Sequence, residues 1–497
     1  MRRLIRAAVL ALICLCPLAA AAADRIALVV GMSDYSFIPK LQNTTNDARL
    51  LSDTLTGIGF DVTTLIDVPQ ERLLQDLAGF AFRAETADLA LIYFAGHGVE
   101  VQGENFLVPV DANVTSNRDV QRMSVSLKEL LAAAGGARKM RIVILDSCRN
   151  NPFGDSLAPA TPTAGTEAAN ATRGGGGLAA PTPDRGTLVA FAARDGQVAL
   201  DGSGANSPFA AALADKFATP GLEISLLFRQ VRDDVLTRTG NLQEPHTYGS
   251  LSGTPFYIAG SADDIALNAL ADRRIAWSQL RPDQELQLAA LADTGDTRSM
   301  IGLAYMRLNP EGPKYNPSEA ADLMQKAAAE GSAEAQYELA ELYETGLGVA
   351  QNPVRALELY RASADQDYAD ALNDLGFFYY HGALGLPQDQ AAALFYFERA
   401  ADQKHPQAMF NFAALIDDGL VAGKGPKEAA AYLYQALRSG SRDVFDILTE
   451  QPNMFGKATR QALQEELARV ALYEGSIDGA FGPGTKRSIR KAYGLTD

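Results

Sequence analysis

Six short runs rich in Val, Ile, Leu and Phe mark the first half of the chain: RIALVVG from Arg25, FDVTTLI from Phe60, LALIYFAG from Leu89, RIVILDS from Arg141, TLVAFAA from Thr187 and PFYIAG from Pro255. Near-continuous apolar runs of this kind are what a parallel sheet covered on both faces requires. Amphipathic stretches lie between them, such as Asn46 to Leu55 and Val68 to Phe82. Strands alternating with helices predict an α/β sandwich with a mostly parallel sheet over residues 24–260. One segment has no apolar period. Ala158 to Gly186 is almost entirely Ala, Thr, Pro and Gly, with an unbroken glycine run from Gly174 to Gly177. It predicts a flexible loop, residues 158–186, that divides the sheet region into a larger and a smaller part.

The second half changes period. SMIGLAYM, AQYELAELY, ALNDLGFFY and AMFNFAALI begin at Ser299, Ala335, Ala371 and Ala408, at spacings of 36, 36 and 37 residues. Ala328, Ala364 and Ala401 each close a second helical stretch just ahead of the last three strings. A repeat of this length with small residues at fixed places is a helix pair that stacks on its neighbours. The pattern resembles Sel-like repeats, short relatives of tetratricopeptide repeats. It predicts an all-α solenoid over residues 296–445, reached through a helical linker at 261–295 and expected to bind a protein partner. Its aromatic stripe reads as core. The tail, residues 456–497, carries YEGSIDGAFGPGT from Tyr473 between helical stretches. It resembles the small three-helix peptidoglycan-binding module. Such modules serve either as glycan binders or as plain folding units, and the residues leave both open. Thr485 is placed to cap the last helix.

At the start of the chain, Arg2, Arg3 and Arg6 precede an apolar stretch from Ala7 to Leu18 and a run of small residues from Ala19 to Ala23. That layout predicts a secretory signal, residues 1–23, cleaved after Ala23. The apolar stretch is shorter than the roughly 20 residues that span a bilayer. Export to the periplasm is therefore expected, with no membrane span in the mature chain. Cys14 and Cys16 follow Ile13 and Leu15, not small residues, which argues against a lipid-linked cysteine. Loss of three Arg takes the net charge from −16 to −19 and leaves Cys148 as the one cysteine of the mature chain. So acidic a protein repels phosphate backbones, and nucleic acid is excluded as a partner. A lone cysteine forms no internal disulfide; it is either inert and buried or kept for reactivity.

Two residues carry the candidate chemistry. His97 ends one apolar run, in YFAGHG, and Cys148 ends another, in LDSCRN. Ligands and catalytic groups gather at the C-terminal edge of parallel strands. Gly96 and Gly98 are expected to leave the ring open to a substrate backbone, and the small polar residues Asp146 and Ser147 to set the thiol in a wet cleft. His246, His381 and His405 read as structural, and no Cys/His/Asp cluster has zinc spacing.

The histidine precedes the cysteine by 51 residues, close to the spacing of about 50 known in caspases. With ALVVGMSDY, NDARLLSDTL, GHG, DSCRNNPF and GSLSGTPFYI, the region from Asp24 to Ala259 resembles the bacterial caspase-like and metacaspase-type cysteine peptidases. The resemblance implies a caspase-like sandwich and a cysteine-type endopeptidase acting on a protein or peptide. Cys148 would be the nucleophile, and His97 the group that takes its proton and returns it to the leaving amine. The backbone N–H groups of Gly98 and Cys148 would form the oxyanion hole. The resemblance also implies substrate-binding acids that select Arg or Lys, matched by Asp146, with Asp47 and Asp201 as further candidates. It implies no resident cofactor or metal. Calcium activates some metacaspases, and nothing in the sequence locates such a site. Arg149-Asn150-Asn151 departs from the His-Ser-Gly usual in metacaspases and agrees with bacterial relatives. Caspase-like enzymes are often cut between their two parts, which makes Arg173 and, less favoured, Arg185 the expected self-cleavage positions. The rival class is a non-catalytic envelope scaffold with a vestigial peptidase fold.

Overall fold

The computed structural model describes residues 25–148, 186–194, 199–202, 204–251, 255–259 and 282–495, together with 181, 277 and 280. The expected signal, the loop positions Arg173 and Arg185 and the first part of the expected linker lie outside the described residues.

The order of the first elements is β1 (Arg25–Gly31), α1 (Thr44–Gly57), β2 (Asp61–Ile66), α2 (Gln70–Ala84), β3 (Leu89–Val101), β4 (Glu104–Leu107), α3 (Asn117–Met123), β5 (Val125–Ser126), α4 (Leu127–Ala134), β6 (Met140–Cys148), β7 (Thr187–Phe191), α5 (Pro208–Phe217), α6 (Ile224–Arg238) and β8 (His246–Ser250). The main sheet runs β2-β1-β3-β6-β7-β8 and is parallel apart from the antiparallel edge strand β8, while β4 adds antiparallel to the far end of β3 and β5 to β4. Strand alternation splits its apolar residues between two layers. Leu28, Val30, Ile92, Phe94, Val143 and Leu145 pack with Leu77 and Phe80 of α2 and Leu130 of α4. Val29, Leu91, Tyr93, Ile142 and Ile144 pack with Leu51 of α1, Phe209 of α5 and Leu227 of α6. Unbroken apolar runs follow from this double cover.

The sixth run is the exception. Among the described residues, the segment from Pro255 makes only an isolated bridge, Tyr257 to Glu223, and the edge place is taken by HTYGS of β8. Its apolar residues are buried for another reason. Phe256 and Ile258 pack into the core of the sheet domain, and Tyr257 packs into the core of the helical region. The segment is covered on both sides because it lies between two bodies of structure.

The helical region opens with α7 (Pro282–Asp293) and continues as helix pairs: α8 (Thr297–Leu308) with α9 (Pro317–Ala329), α10 (Ala333–Thr345) with α11 (Pro353–Ala364), α12 (Ala369–His381) with α13 (Gln390–Asp402), and α14 (Pro406–Asp417) with α15 (Pro426–Arg438). Local chemistry repeats with the fold: Asn316 and Asn352 cap second helices, each followed by Pro at the first helical position. Ala335, Ala371 and Ala408 are fully buried at the helix contacts. A methyl added at Gly376 would come within 2.8 Å of the Phe397 ring, so the small residue there is a packing requirement. α16 (Arg442–Glu450), α17 (Lys457–Arg469) and α18 (Pro483–Tyr493) follow. Thr485 is not the cap of α18. Pro483 occupies the first helical position, so the cap falls on Gly482, and the Thr485 hydroxyl instead accepts a hydrogen bond from Gln464 at 3.2 Å.

Both ends of the helical region are fastened to the sheet domain. At one end Arg298 pairs with the buried Glu223 at 2.8 Å and Arg229 with Asp296 at 2.8 Å. At the other, Arg438 pairs with Glu85 at 2.9 Å, and Arg138 donates to the carbonyls of Arg438 (3.0 Å) and Tyr493 (2.6 Å). Glu85 precedes β3 and Arg138 precedes β6, while Arg25 at the start of β1 donates to the Ile258 carbonyl at 2.7 Å. The fastenings therefore lie at the edge where the strands begin, opposite the edge that carries His97 and Cys148.

Candidate active site

β3 and β6 pair in register from Leu89 opposite Met140 to His97 opposite Cys148. The two residues thus occupy neighbouring places on adjacent strands, with backbones about 4.8 Å apart, the ordinary interstrand distance. The structure describes Cys148 by its backbone. His97 does not end its strand: β3 runs on to Val101 because Gly98 and the residues after it pair with β4. Nor is the ring open, since His97 is only 7% exposed. Gly96 serves a different neighbour from the one expected. A Cβ there would lie 2.6 Å from the Tyr35 hydroxyl, so the glycine makes room for Tyr35, not for a substrate.

The His97 ring is oriented by protein groups. Its Nε2 lies 2.8 Å from the Pro39 carbonyl. A carbonyl only accepts, so Nε2 carries the proton, and Nδ1 keeps the lone pair. Nδ1 is buried and has no partner among the described residues. The Tyr35 hydroxyl accepts the His97 backbone N–H at 2.8 Å, and its ring lies 4.7 Å from the imidazole. Burial pulls the His97 pKa below its ordinary 6.5, against a smaller opposing effect of the Pro39 carbonyl. At neutral pH the ring is therefore a neutral proton acceptor.

The acids singled out in the sequence come together beside this pair. Asp146 on β6 accepts from the Tyr93 hydroxyl at 3.0 Å and from the Ser207 hydroxyl at 2.8 Å. Asp47, in the first turn of α1, accepts from Asn206 Nδ2 at 2.9 Å and from the Ser207 backbone N–H at 3.0 Å. Ser207 thus joins the two carboxyls, while its hydroxyl also caps α5 through Ala210. Asp201 approaches from the same side, its carbonyl accepting from Asn43 at 2.7 Å. Asp47 and Asp146 are 1% and 8% exposed. Burial first, then the Asp47 charge, push Asp146 up to about 7, and burial raises Asp47 as well. The pair holds a proton near neutrality and titrates as a unit. The wet cleft expected from Asp146 and Ser147 is not formed by these two side chains, because both are buried.

Tyr35, Pro39, Tyr93, Asn206 and Ser207 were not legible as site residues. The one available signal was Ser207-Pro208 ahead of an apolar helical stretch, a helix start that would have placed α5 against the strand ends. Among the described residues, no group of three or more His, Cys, Asp or Glu side chains is arranged to hold a metal.

Residues 24–257 match the caspase domain family, and residues 297–332, 333–368 and 369–405 match the Sel1 repeat. The sheet and its paired His97 and Cys148 strands thus belong to a domain of the caspase type. The chain as described is a caspase-type domain followed by Sel1 repeats. It is 30% identical over 138 residues to the human mucosa-associated lymphoid tissue lymphoma translocation protein 1, a match covering 27% of this chain and 16% of that protein. It is 32% identical over 136 residues to the exopolysaccharide production negative regulator of Rhizobium leguminosarum bv. viciae, covering 24% and 51%. Among solved structures, caspase-1 from Spodoptera frugiperda aligns with a TM-score of 0.34 at 16% identity, over 49% of this chain and 92% of that one. The fourth helix pair, α14 with α15, lies beyond the stretch matched to the repeat.

Proposed function

We propose that the protein is an exported cysteine endopeptidase that cleaves after Arg or Lys. What carries this reading is the register of His97 beside Cys148, with the ring anchored through Nε2 and its buried Nδ1 left unpartnered. In this mechanism the Cys148 thiol gives its proton to His97 and its sulfur attacks the scissile carbonyl. The backbone N–H groups of Gly98 and Cys148 hold the oxyanion, and the imidazolium then protonates the leaving amine. Water, deprotonated by the same ring, releases the acyl group. Asp146, Asp47 and Asp201 supply the negative charge that selects a basic residue before the cut. The test is a panel of fluorogenic Arg, Lys and Asp peptides, with and without calcium. Hydrolysis after Arg and Lys that Cys148→Ala loses supports the proposal, and silence across the panel overturns it.

Further parts of the reading have their own readouts. A mature N-terminus at Asp24 in periplasmic extracts would support removal of residues 1–23. A Cys148-dependent new N-terminus at Gly174 would support self-cleavage after Arg173, and a cut after Arg185 is the less favoured outcome. Co-sedimentation with purified peptidoglycan tests the C-terminal module, and the Sel1 repeats are assigned to a protein partner. A second reading, a non-catalytic envelope scaffold, is favoured by one observation, the likeness to a negative regulator of exopolysaccharide production.

A further inference from the structure

The segment joining β1 to α1, residues 32–43, builds one whole side of the His97 site. It supplies both Tyr35 and the Pro39 carbonyl. The segment is itself firmly held. Asp67 Oδ1 accepts the N–H groups of Ser33 (2.6 Å) and Asp34 (2.9 Å), Ser36 N–H donates to the Val110 carbonyl at 2.9 Å, and Leu41 N–H donates to the Ser33 carbonyl at 3.2 Å. Tyr35 is buried, and Ile38 and Leu41 pack against the sheet's core. Phe37 alone among its large apolar side chains turns outward, at 58% exposed and two residues from Pro39. Single exposed apolar residues are common on protein surfaces and mean little by themselves. Here the position relative to the reacting groups supplies the meaning.

The strand order bears on which part of a substrate would meet Phe37. Cys148 ends β6, His97 lies on β3, and the Phe37 segment leaves β1, the next strand along. The carbonyl carbon of the cut bond must sit at the thiol, and its nitrogen must face the imidazole that protonates it. The leaving chain therefore continues past His97 toward β1 and the segment carrying Phe37.

We propose that Phe37 binds the first residues on the leaving-group side of the cut bond and selects apolar side chains there. This rests on the peptidase reading above. Covering an exposed aromatic with a Leu or Phe side chain is worth about tenfold in selectivity.

Internally quenched peptides with Arg before the cut, and Leu, Phe, Ser or Gly in the two positions after it, test the proposal. The readout is the ratio of kcat/KM for Leu over Gly peptides. The wild type should give about ten, Phe37→Ala about one, and Phe37→Leu a ratio close to wild type. A wild-type ratio near one, or a ratio that Phe37→Ala leaves intact, overturns the proposal while the peptidase reading stands. An equal loss on all peptides with a displaced pH profile also overturns it, because Phe37 would then act through His97. A wild type that cuts none of the peptides defeats the peptidase reading and this proposal with it.

Discussion

The sheet domain and the helical repeats bury polar groups in opposite ways. In the sheet domain the buried carboxyls draw partners from far along the chain: Asp146 binds Tyr93 and Ser207, and Asp47 binds Asn206 and Ser207. In the repeats, polar bonds join residues about one repeat apart. Tyr337 donates to Asp374 at 3.0 Å, His405 meets Asp370 at 3.2 Å, and the Ser363 hydroxyl donates to the Ala333 carbonyl at 2.7 Å. Each repeat answers mainly to its neighbours, as in a one-dimensional stack. The sheet domain gathers β1, α1, β3, β6 and α5 around a single point. A fault there should be felt in the chemistry, whereas a fault in the repeats should be felt in local stability.

The largest expected effect tests the first half of that contrast. His97→Ala should lower kcat/KM on Arg peptides by about a thousandfold or more, since it removes the proton acceptor. Its thermal unfolding should stay near that of the wild type. Retained hydrolysis would detach the chemistry from the β3–β6 pair. In the repeats, Phe412 is fully buried on α14, so Phe412→Ala should cost about 3–5 kcal/mol. Hydrogen exchange should rise in α12 to α15 and stay low in the sheet domain. A loss of protection spread evenly over both would remove the distinction.

Asp146→Asn should cut hydrolysis after Arg by about a hundredfold, the cost of removing one partner from a buried charge pair. The same substitution has a stability signature. Unfolded, the Asp146 carboxyl ionises near its ordinary 3.8, whereas the folded protein holds the proton up to about 7. The stabilisation is full below the unfolded value and is lost as pH rises through the folded one, at about 1.4 kcal/mol per unit. The melting temperature of Asp146→Asn relative to wild type should therefore rise between pH 4 and 7, and a flat difference would refute the buried, shared proton.

Arg438→Ala breaks one fastening between the two regions. Its guanidinium is buried but Glu85 is 43% exposed, so a cost of about 1–2 kcal/mol is expected. Calorimetry should then show the repeats and the sheet domain unfolding in separated steps. The smallest effect is a matter of position on the pH axis. Burial lowers the His97 pKa, so once Asp146→Asn removes the carboxyl that titrates at about 7, the remaining acid limb of kcat/KM should fall below 6.5, and a limb still above that value would contradict a neutral, buried ring.

The elements of the repeats were legible because their contacts recur within some 36 residues and leave the same small residue at the same place, as at Ala335 and Ala371. That His97 and Cys148 would lie on neighbouring strands was legible as well, because each follows an apolar run of the parallel type, but the continuation of β3 past His97 to pair with β4 was not. The run from Pro255 misled because continuous burial looks alike whether a sheet or a second body of structure supplies the cover. Gly96 misled for a related reason: a glycine signals close approach without naming what approaches, and here it is Tyr35.

By itself, then, the sequence determined whatever depends on local period and spacing: the alternation of strands and helices, the stack of helix pairs, and the candidate residues His97 and Cys148 after two of the apolar runs. Only the tertiary structure decided how those residues are equipped. That Pro39 would fix the imidazole, that Ser207 would bridge two carboxyls, and that Arg138 and Arg438 would fasten the repeats behind the sheet are contacts between residues far apart in the chain. Hydrogen bonds of this sort act over about 3 Å, and no short-range pattern encodes which distant group will come that close.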